Sequence, residues 1–128
     1  MNNNGQGVAA GLAVLAQPDG TQTWQYVFPQ GCAPGSCVAA PLDMAAAGSR
    51  LYLELFGTGI RGRSSLAAVS ATIGGVSVPV EYAGPVAGLT GLDQVNLAVP
   101  TSLAGRGEVA VLLTVDGKQT NPVSVSFK

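Results

Sequence analysis

The chain has 128 residues, of which 47% are hydrophobic and only 10% are charged, and its six basic and seven acidic side chains nearly cancel. One domain with its own core fits this length, and the charge balance excludes the basic patch that nucleic acids or an anionic membrane surface would require. Histidine is absent, which excludes Ser-His-Asp and Cys-His catalytic units and His-ligated zinc sites.

The N-terminal segment has neither the length of a membrane anchor nor the charge of a signal peptide. Its longest apolar run covers residues 8–16, well short of the roughly 20 residues that span a bilayer. No Lys or Arg lies within residues 1–7, whereas a signal peptide begins with a cationic region. We therefore expect no membrane insertion, and we expect Met1 to begin a domain excised from a longer protein that carries its signal elsewhere.

Period-two alternation predicts two strands near the N-terminus. They are joined by a turn at residues 18–20, where a proline presets φ and a glycine accepts positive φ. The first strand has four apolar residues on one face, Ala10, Leu12, Val14 and Ala16. The second strand has three aromatic residues on one face, Trp24, Tyr26 and Phe28.

An irregular connection with two cysteines is predicted over residues 29–49, with a short helical turn at 44–47. Four residues separate Cys32 from Cys37, including a Pro-Gly pair that favours a tight turn. Two cysteines without histidine are too few for a zinc site, which takes four ligands, and the spacing differs from a C-x-x-C redox motif. We predict a small loop disulfide, with two free thiols as the alternative. A disulfide indicates a secreted or cell-surface location.

From residue 50 onward the alternation is clearer. Gly74-Gly75 and Asp116-Gly117 are hairpin signals between alternating segments, and Pro79 suits an edge strand. The predicted strands lie within residues 51–55, 69–73, 76–82, 95–99, 109–115 and 123–127. These short strands predict an all-β fold, an antiparallel β-sandwich of seven to eight strands in which two half-apolar sheets cover each other. We expect a single domain over residues 1–128, with an N-terminal hairpin and irregular loop at 1–49 and the sandwich core at 50–128.

A G-x-G-x-x-G motif formed by Gly57, Gly59 and Gly62 follows a predicted strand. A dinucleotide-binding site would need a helix directly after it, but residues 69–73 alternate as a strand does. Parallel sheets also need near-continuous apolar runs, which this chain lacks. We therefore assign the glycines to a tight loop and predict no cofactor.

The aromatic triplet Trp24, Tyr26 and Phe28 has two interpretations. Three rings on one face of a strand can form a platform that stacks on sugar rings, as in carbohydrate-binding modules. Alternatively, the rings belong to the core, where aromatic side chains bury large areas. We expect the core, because a sandwich with so few aromatic residues would bury most of them.

The carboxylates are scattered without a catalytic spacing. A facing pair for glycoside hydrolysis and a calcium site built from loop carboxylates are weaker alternatives to turn and surface roles. Arg61 and Arg63 either contact an acidic partner or lie at a sheet end. We therefore predict no catalytic residue, no metal ligand and no enzymatic activity.

Five segments together resemble an uncharacterised family of C-terminal domains at the ends of large secreted bacterial proteins. These are residues 51–65, 71–75, 80–84, 91–96 and 111–117, and the cysteine loop at 33–37 agrees with them. The resemblance implies an immunoglobulin-like sandwich related to the IPT/TIG modules. It brings no established activity, so no functional residue is transferred.

Within the fourth segment, Gly91, Asp93 and Asn96 predict a structural corner. The short side chains of Asp93 and Asn96 flank a strand start, where they can bind loop amides and hold the preceding glycine-rich turn. The expected function is that of a non-catalytic C-terminal accessory module of a secreted or surface protein, a spacer, cap or adhesion unit. Its expected partners are other domains of the parent protein, a surface protein or a glycan. The alternative is a carbohydrate-binding module that uses the aromatic strand.

Overall fold

The computed structural model describes residues 9–29, 31–33, 38–44 and 48–128. Cys37 and most of the helical turn predicted at 44–47 lie outside these residues. Eleven strands are found in the described part of the chain: β1 (Gly11–Ala16), β2 (Gln22–Tyr26), β3 (Pro41–Leu42), β4 (Arg50–Gly57), β5 (Val69–Ile73), β6 (Val76–Val78), β7 (Val80–Pro85), β8 (Asp93–Val99), β9 (Gly107–Val115), β10 (Lys118–Gln119) and β11 (Val123–Phe127). Two short 3₁₀ turns, Leu66–Ala68 and Thr101–Leu103, precede β5 and β9.

The strands form two sheets, as expected for an all-β sandwich. The five-stranded sheet has the order β2-β1-β4-β8-β7 and is antiparallel throughout. The other sheet has the order β3-β11-β9-β5-β6, with β10 paired to β9. Among the strands that the structure describes, β3 and β11 form a parallel pair.

The core lies between the two sheets and is built from alternate residues of the strands. Leu53 and Leu97 are fully buried in the five-stranded sheet, and Ile73 and Val125 are fully buried in the other. Each such side chain gains about 1.5–3 kcal/mol by leaving water, so this apolar interior is the main source of stability. The first 49 residues contribute to the same core through Ala13, Val27 and Leu42.

The N-terminal hairpin is part of the five-stranded sheet, since β1 lies between β2 and β4. The irregular connection that follows also contributes β3, which pairs with the last strand. The backbone amide of Lys128 donates to the carbonyl of Leu42 at 3.1 Å, so this connection and the last strand are held together.

The strand predicted over residues 76–82 is two strands in different sheets, and the prediction of one strand was wrong. Pro79 has no backbone N–H and cannot continue the hydrogen-bond ladder of β6. Its carbonyl instead accepts a hydrogen bond from the Ala98 amide at 3.1 Å. The chain therefore leaves the six-stranded sheet at Pro79 and continues as β7 beside β8.

Candidate functional site

The turn between β1 and β2 sets the position of the aromatic strand. The Gly20 amide donates to the carbonyl of Gln17 at 3.0 Å, and Gly20 takes a φ of 89° that favours glycine. The Asp19 carboxylate accepts the Thr21 amide at 2.9 Å. The side-chain and backbone hydrogen bonds from Thr21 hold the pKa of Asp19 below its ordinary value. This turn produces a register in which Trp24 lies opposite Val14.

The expectation that Trp24 and Tyr26 belong to the core was wrong. Trp24 is 57% exposed and Tyr26 is 49% exposed. Phe28, beyond the end of β2, is the one member of the triplet that packs against the core. The physical reason is the register of the hairpin: Gln25 lies opposite the core residue Ala13, so the neighbouring Trp24 lies on the face away from the core.

Five of the seven aromatic residues share the outer face of the five-stranded sheet. The strand registers place Tyr52 opposite Val14 and Tyr82 opposite Asn96 on the side away from the core. We call this surface the aromatic face, and its aromatic members are Trp24, Tyr26, Tyr52, Phe56 and Tyr82. The aromatic face was not predicted as a unit. The alternation of residues 51–55 did place Tyr52 on the other side of its strand from the three leucines of that segment.

Val14 is an apolar residue of this face that is buried although it lies outside the core cluster. Its side chain is only 6% exposed, yet it is not a member of the core cluster. Its cross-strand neighbours are Trp24 on one side and Tyr52 on the other. Cross-strand pairs of aromatic and β-branched residues pack favourably, so Trp24, Val14 and Tyr52 form a continuous apolar ridge.

Polar side chains lie beside this ridge on the same face. Glu54, Gln94 and Asn96 are half-buried, and the Gln94 side-chain amide donates to the Asn96 carbonyl oxygen at 2.6 Å. The start of β4 and the end of β8 border a groove of about 270 Å³, which Arg50 and Tyr52 help to line. The face therefore offers rings, amides and one charge of each sign.

The outer face of the other sheet has a different character. Its registers place small and polar residues on the side away from the core, namely Ser70, Thr72, Ser77, Glu108, Ala110, Thr114, Ser124 and Ser126, with Leu112 among them. Aromatic residues are absent from the described strands of this face. The two sheets share an apolar interior but differ in what they present to the surroundings.

The second notable feature is the buried carboxylate of Asp93, at the start of β8. Its side chain is 1% exposed. One oxygen, Oδ2, accepts the amides of Ile60 at 2.7 Å and Arg61 at 3.0 Å. The other, Oδ1, accepts the Nε–H of Arg61 at 2.6 Å. We call Asp93 and the loop 57–62 that it holds the Asp93 corner.

Arg61 completes this corner, because its terminal Nη2 also donates to the carbonyl of Leu92 at 2.9 Å. Burial raises the pKa of Asp93, but the hydrogen bonds from Arg61 and Ile60 and the guanidinium charge outweigh it and hold that pKa below its ordinary value. The carboxylate is therefore ionised, and its three described hydrogen bonds all go to the loop 57–62. The arrangement holds this loop in place, and its burial leaves the carboxylate almost no surface for a ligand.

The three residues predicted as a corner are not equivalent. Asp93 binds loop amides, but they belong to the loop 57–62 and not to the preceding glycine-rich turn. Gly91 lies in that turn with a φ of 80°, and the turn is closed by its own hydrogen bond from the Val86 amide to Leu92 at 2.9 Å. Asn96 is on the aromatic face, where it pairs with Gln94. The pairing of Arg61 with Asp93 was not predicted.

The glycines of the G-x-G-x-x-G motif lie in or next to this loop. Gly59 has a φ of 82°, which L-residues rarely adopt, and it allows the loop to fold back over Asp93. The chain then enters the 3₁₀ turn Leu66–Ala68 and β5, as the strand alternation predicted.

The cysteine pairing remains a prediction. Cys32 packs against the core and no free cysteine occurs among the residues that the structure describes, but Cys37 lies outside them. Within the same described ranges, no cluster of three or more Cys, Asp or Glu side chains is arranged to hold a metal ion. No helix in the described part of the chain is long and apolar enough to cross a membrane.

Comparison of the chain with protein-family profiles, curated proteins and solved structures finds no match. Function must therefore be argued from the aromatic face and the Asp93 corner themselves.

Proposed function

We propose that the chain is a non-catalytic accessory module of a secreted or cell-surface bacterial protein, which acts as an interaction unit through its aromatic face. The observation that carries the proposal is the exposure of Trp24 and Tyr26 on an otherwise well-packed sandwich. Large exposed aromatic residues grouped on one surface are typical of interaction sites. The partners in this proposal are other domains of the parent protein, a surface protein or a glycan.

The strand order supports an immunoglobulin-like topology for this module. Immunoglobulin-like sandwiches have strands A, B, E and D in one sheet and G, F and C in the other, with C′ added beside C in the variable type. The chain has β1, β4, β8 and β7 in one sheet and β11, β9, β5 and β6 in the other. Assigned in chain order, these are A-B-E-D and G-F-C-C′, with β2 as an additional strand beside A.

The described partners of three of the seven acidic side chains support a non-catalytic role. Asp93 is used by the loop 57–62, and Asp116 accepts the Ser64 amide at 3.0 Å and its hydroxyl at 2.6 Å. Asp43 pairs with Lys128 at 2.7 Å. General acid–base catalysis needs a carboxyl group within reach of the substrate proton, whereas these groups hold turns and loops.

The proposed location depends on the predicted bond between Cys32 and Cys37. Closing so short a ring contributes about 2 kcal/mol in the chain-entropy model. Alkylation of the denatured, unreduced protein followed by intact mass measurement tests it. We expect no alkyl group to be added; addition of two would contradict both the disulfide and the oxidising location that it supports.

A thermal-shift experiment with the purified chain tests the accessory role. The panel contains calcium, a nicotinamide dinucleotide and neutral polysaccharides. A ligand at a hundred times its dissociation constant stabilises by about 2.7 kcal/mol, a shift of several degrees at this size. We expect one cooperative transition and no shift with calcium or the dinucleotide. A shift with the dinucleotide would overturn the proposal of a non-catalytic module, and a shift with calcium would overturn the prediction of no metal ligand.

A further inference from the structure

We propose that the ridge formed by Trp24, Val14 and Tyr52 binds the pyranose rings of a neutral polysaccharide. This inference rests on the proposed function, because it names the partner of the aromatic face. It differs from the triplet of β2, since it keeps only Trp24 from that strand and takes its second ring, Tyr52, from β4.

Trp24 is the first stacking surface. It lies on β2, at the outer edge of the sheet, and more than half of its side chain is exposed to solvent. An indole ring has a wide apolar face and one N–H donor. Sugar rings have complementary surfaces, with C–H groups on the ring faces and hydroxyls around the rim. The exposed indole therefore suits a partner that is apolar on its faces and polar at its edges.

Tyr52 is the second stacking surface, two strands away. Since neighbouring strands lie about 4.8 Å apart, the backbones at Trp24 and Tyr52 are separated by about 10 Å. Val14 fills the space between them, as its burial indicates. An open ridge with two rings about 10 Å apart suits successive sugar units of a polysaccharide. It suits one small molecule enclosed in a cavity less well.

The polar groups beside Tyr52 match the hydroxyls of a sugar. Glu54 accepts hydrogen bonds, while the amides of Gln94 and Asn96 both accept and donate. Their mutual hydrogen bond of 2.6 Å uses one donor and one acceptor and leaves the carbonyl of Gln94 and the NH₂ of Asn96 to a ligand. A polyhydroxylated ligand requires both hydrogen-bond donors and hydrogen-bond acceptors, and this face has both.

The charge of this surface favours a neutral ligand. Glu54 and Arg50 have opposite signs and lie on the same outer face, as shown by their pairing with Leu12 and Ala16 of β1. A polyanion needs a clustered excess of basic side chains, which is missing here. A groove of about 270 Å³ is lined by Arg50, Tyr52 and Ala98, so it adjoins the ridge on the side of Tyr52 away from Trp24.

Affinity electrophoresis of the whole chain tests this site. Native gels contain one soluble polysaccharide each: a mixed-linkage β-glucan, xylan, galactomannan, an α-glucan, and the polyanion polygalacturonate. The variants are Trp24→Ala, Trp24→Phe and, as a matched control, Leu89→Ala. Leu89 is 54% exposed and lies in the turn between β7 and β8, so its replacement removes an exposed apolar side chain away from the ridge.

We expect at least one neutral polysaccharide to retard the wild-type protein. Trp24→Ala should weaken this binding by about tenfold or more, as loss of a stacking ring implies, and Trp24→Phe should retain part of it. Leu89→Ala should migrate as the wild type does. Thermal unfolding of each variant shows whether it is folded.

Three results would overturn the inference. The first is no retardation by any neutral polysaccharide, and the second is retardation that Trp24→Ala leaves unchanged. The third is a dimer of the wild type, seen by sedimentation and lost in Trp24→Ala, because the ridge would then be an interface between two copies. The accessory-module proposal fails on a different result, a thermal shift with the dinucleotide, so the two failures are distinguishable.

Discussion

The Asp93 corner and the aromatic face belong to the same five-stranded sheet, yet their side chains are used in opposite ways. At the corner, a polar residue is buried and every described hydrogen bond of its carboxylate goes to the loop 57–62. On the face, apolar rings are exposed, with Trp24 at 57% and Tyr26 at 49%. The two regions reverse the usual rule that polar groups lie outside and apolar groups inside.

This reversal separates a structural feature from a binding surface. A buried carboxylate remains charged only when partners compensate its desolvation, and Asp93 has those partners within the chain. An exposed indole contributes little to the stability of the fold, and our proposal assigns its position to binding. We therefore expect changes at the corner to act on stability and changes on the face to act on binding.

The largest expected effect is that of Asp93→Ala. The substitution removes the acceptor of the buried Ile60 amide, of the part-buried Arg61 amide and of the Arg61 guanidinium, whose side chain is 43% exposed. We expect the melting temperature to fall by on the order of 10 °C, measured by calorimetry or circular dichroism, with Leu89→Ala as a surface control. An unchanged melting curve combined with lost ligand binding would make the corner a binding site and reverse the comparison.

The pH dependence of stability tests the structural role of Asp93 in a second way. Because the pKa of Asp93 is lower in the folded protein than its ordinary value of 3.8, the unfolded state binds the proton first as the pH falls. The stabilisation is therefore complete above about pH 5 and is lost as the pH falls below 4 through the folded pKa. The difference in melting temperature between wild type and Asp93→Asn should be constant from pH 5 to 8 and shrink in acid; a difference that grows in acid would contradict this assignment.

Val14→Ala tests whether the rings of the aromatic face shield an apolar residue. Removing two methyl groups from a buried site should cost about 1.5 kcal/mol, measured by urea unfolding. The expected loss exceeds that of a surface substitution, which usually stays within about 0.5 kcal/mol. A loss within that surface range would mean that Trp24 and Tyr52 do not cover Val14.

The smallest expected effect on stability is that of Trp24→Ala. Its contribution is limited to the cross-strand contact with Val14, worth up to about 1 kcal/mol, whereas truncating a buried tryptophan costs about 3–5 kcal/mol. Urea unfolding distinguishes the two ranges. A decrease of several kcal/mol in the free energy of unfolding would show that Trp24 is part of the core. The Asp93 corner and the aromatic face would then not differ in their effect on stability.

Alternation predicted the sandwich well where a strand has one apolar and one polar face. In β4 the leucines at 51, 53 and 55 are buried and Tyr52 faces out, as the pattern required. In β1 both faces are apolar, because Ala13 belongs to the core and Val14 to the ridge. A period of two shows which residues share a face but not which face is inside, so the exposure of Trp24 was decided by pairing.

The sequence also did not predict which distant residues bind Asp93. The sequence places a short acidic residue at the start of β8, which indicates a bond to loop amides. The identity of the loop follows from the pairing of Asp93 with Gly57, which brings the end of β4 beside it. Arg61 lies 32 residues away in sequence, and no local pattern connects the two.

The most direct test of the account is iodide quenching of Trp24, the only tryptophan in the chain, without and with a neutral polysaccharide that retards the protein in gels. The account predicts efficient quenching of the free protein, since the indole is exposed, and protection together with a blue shift when the ridge is occupied. Strong quenching that the bound polysaccharide does not change would place its site elsewhere. A free protein that iodide does not quench would show that Trp24 is buried and contradict the aromatic face itself.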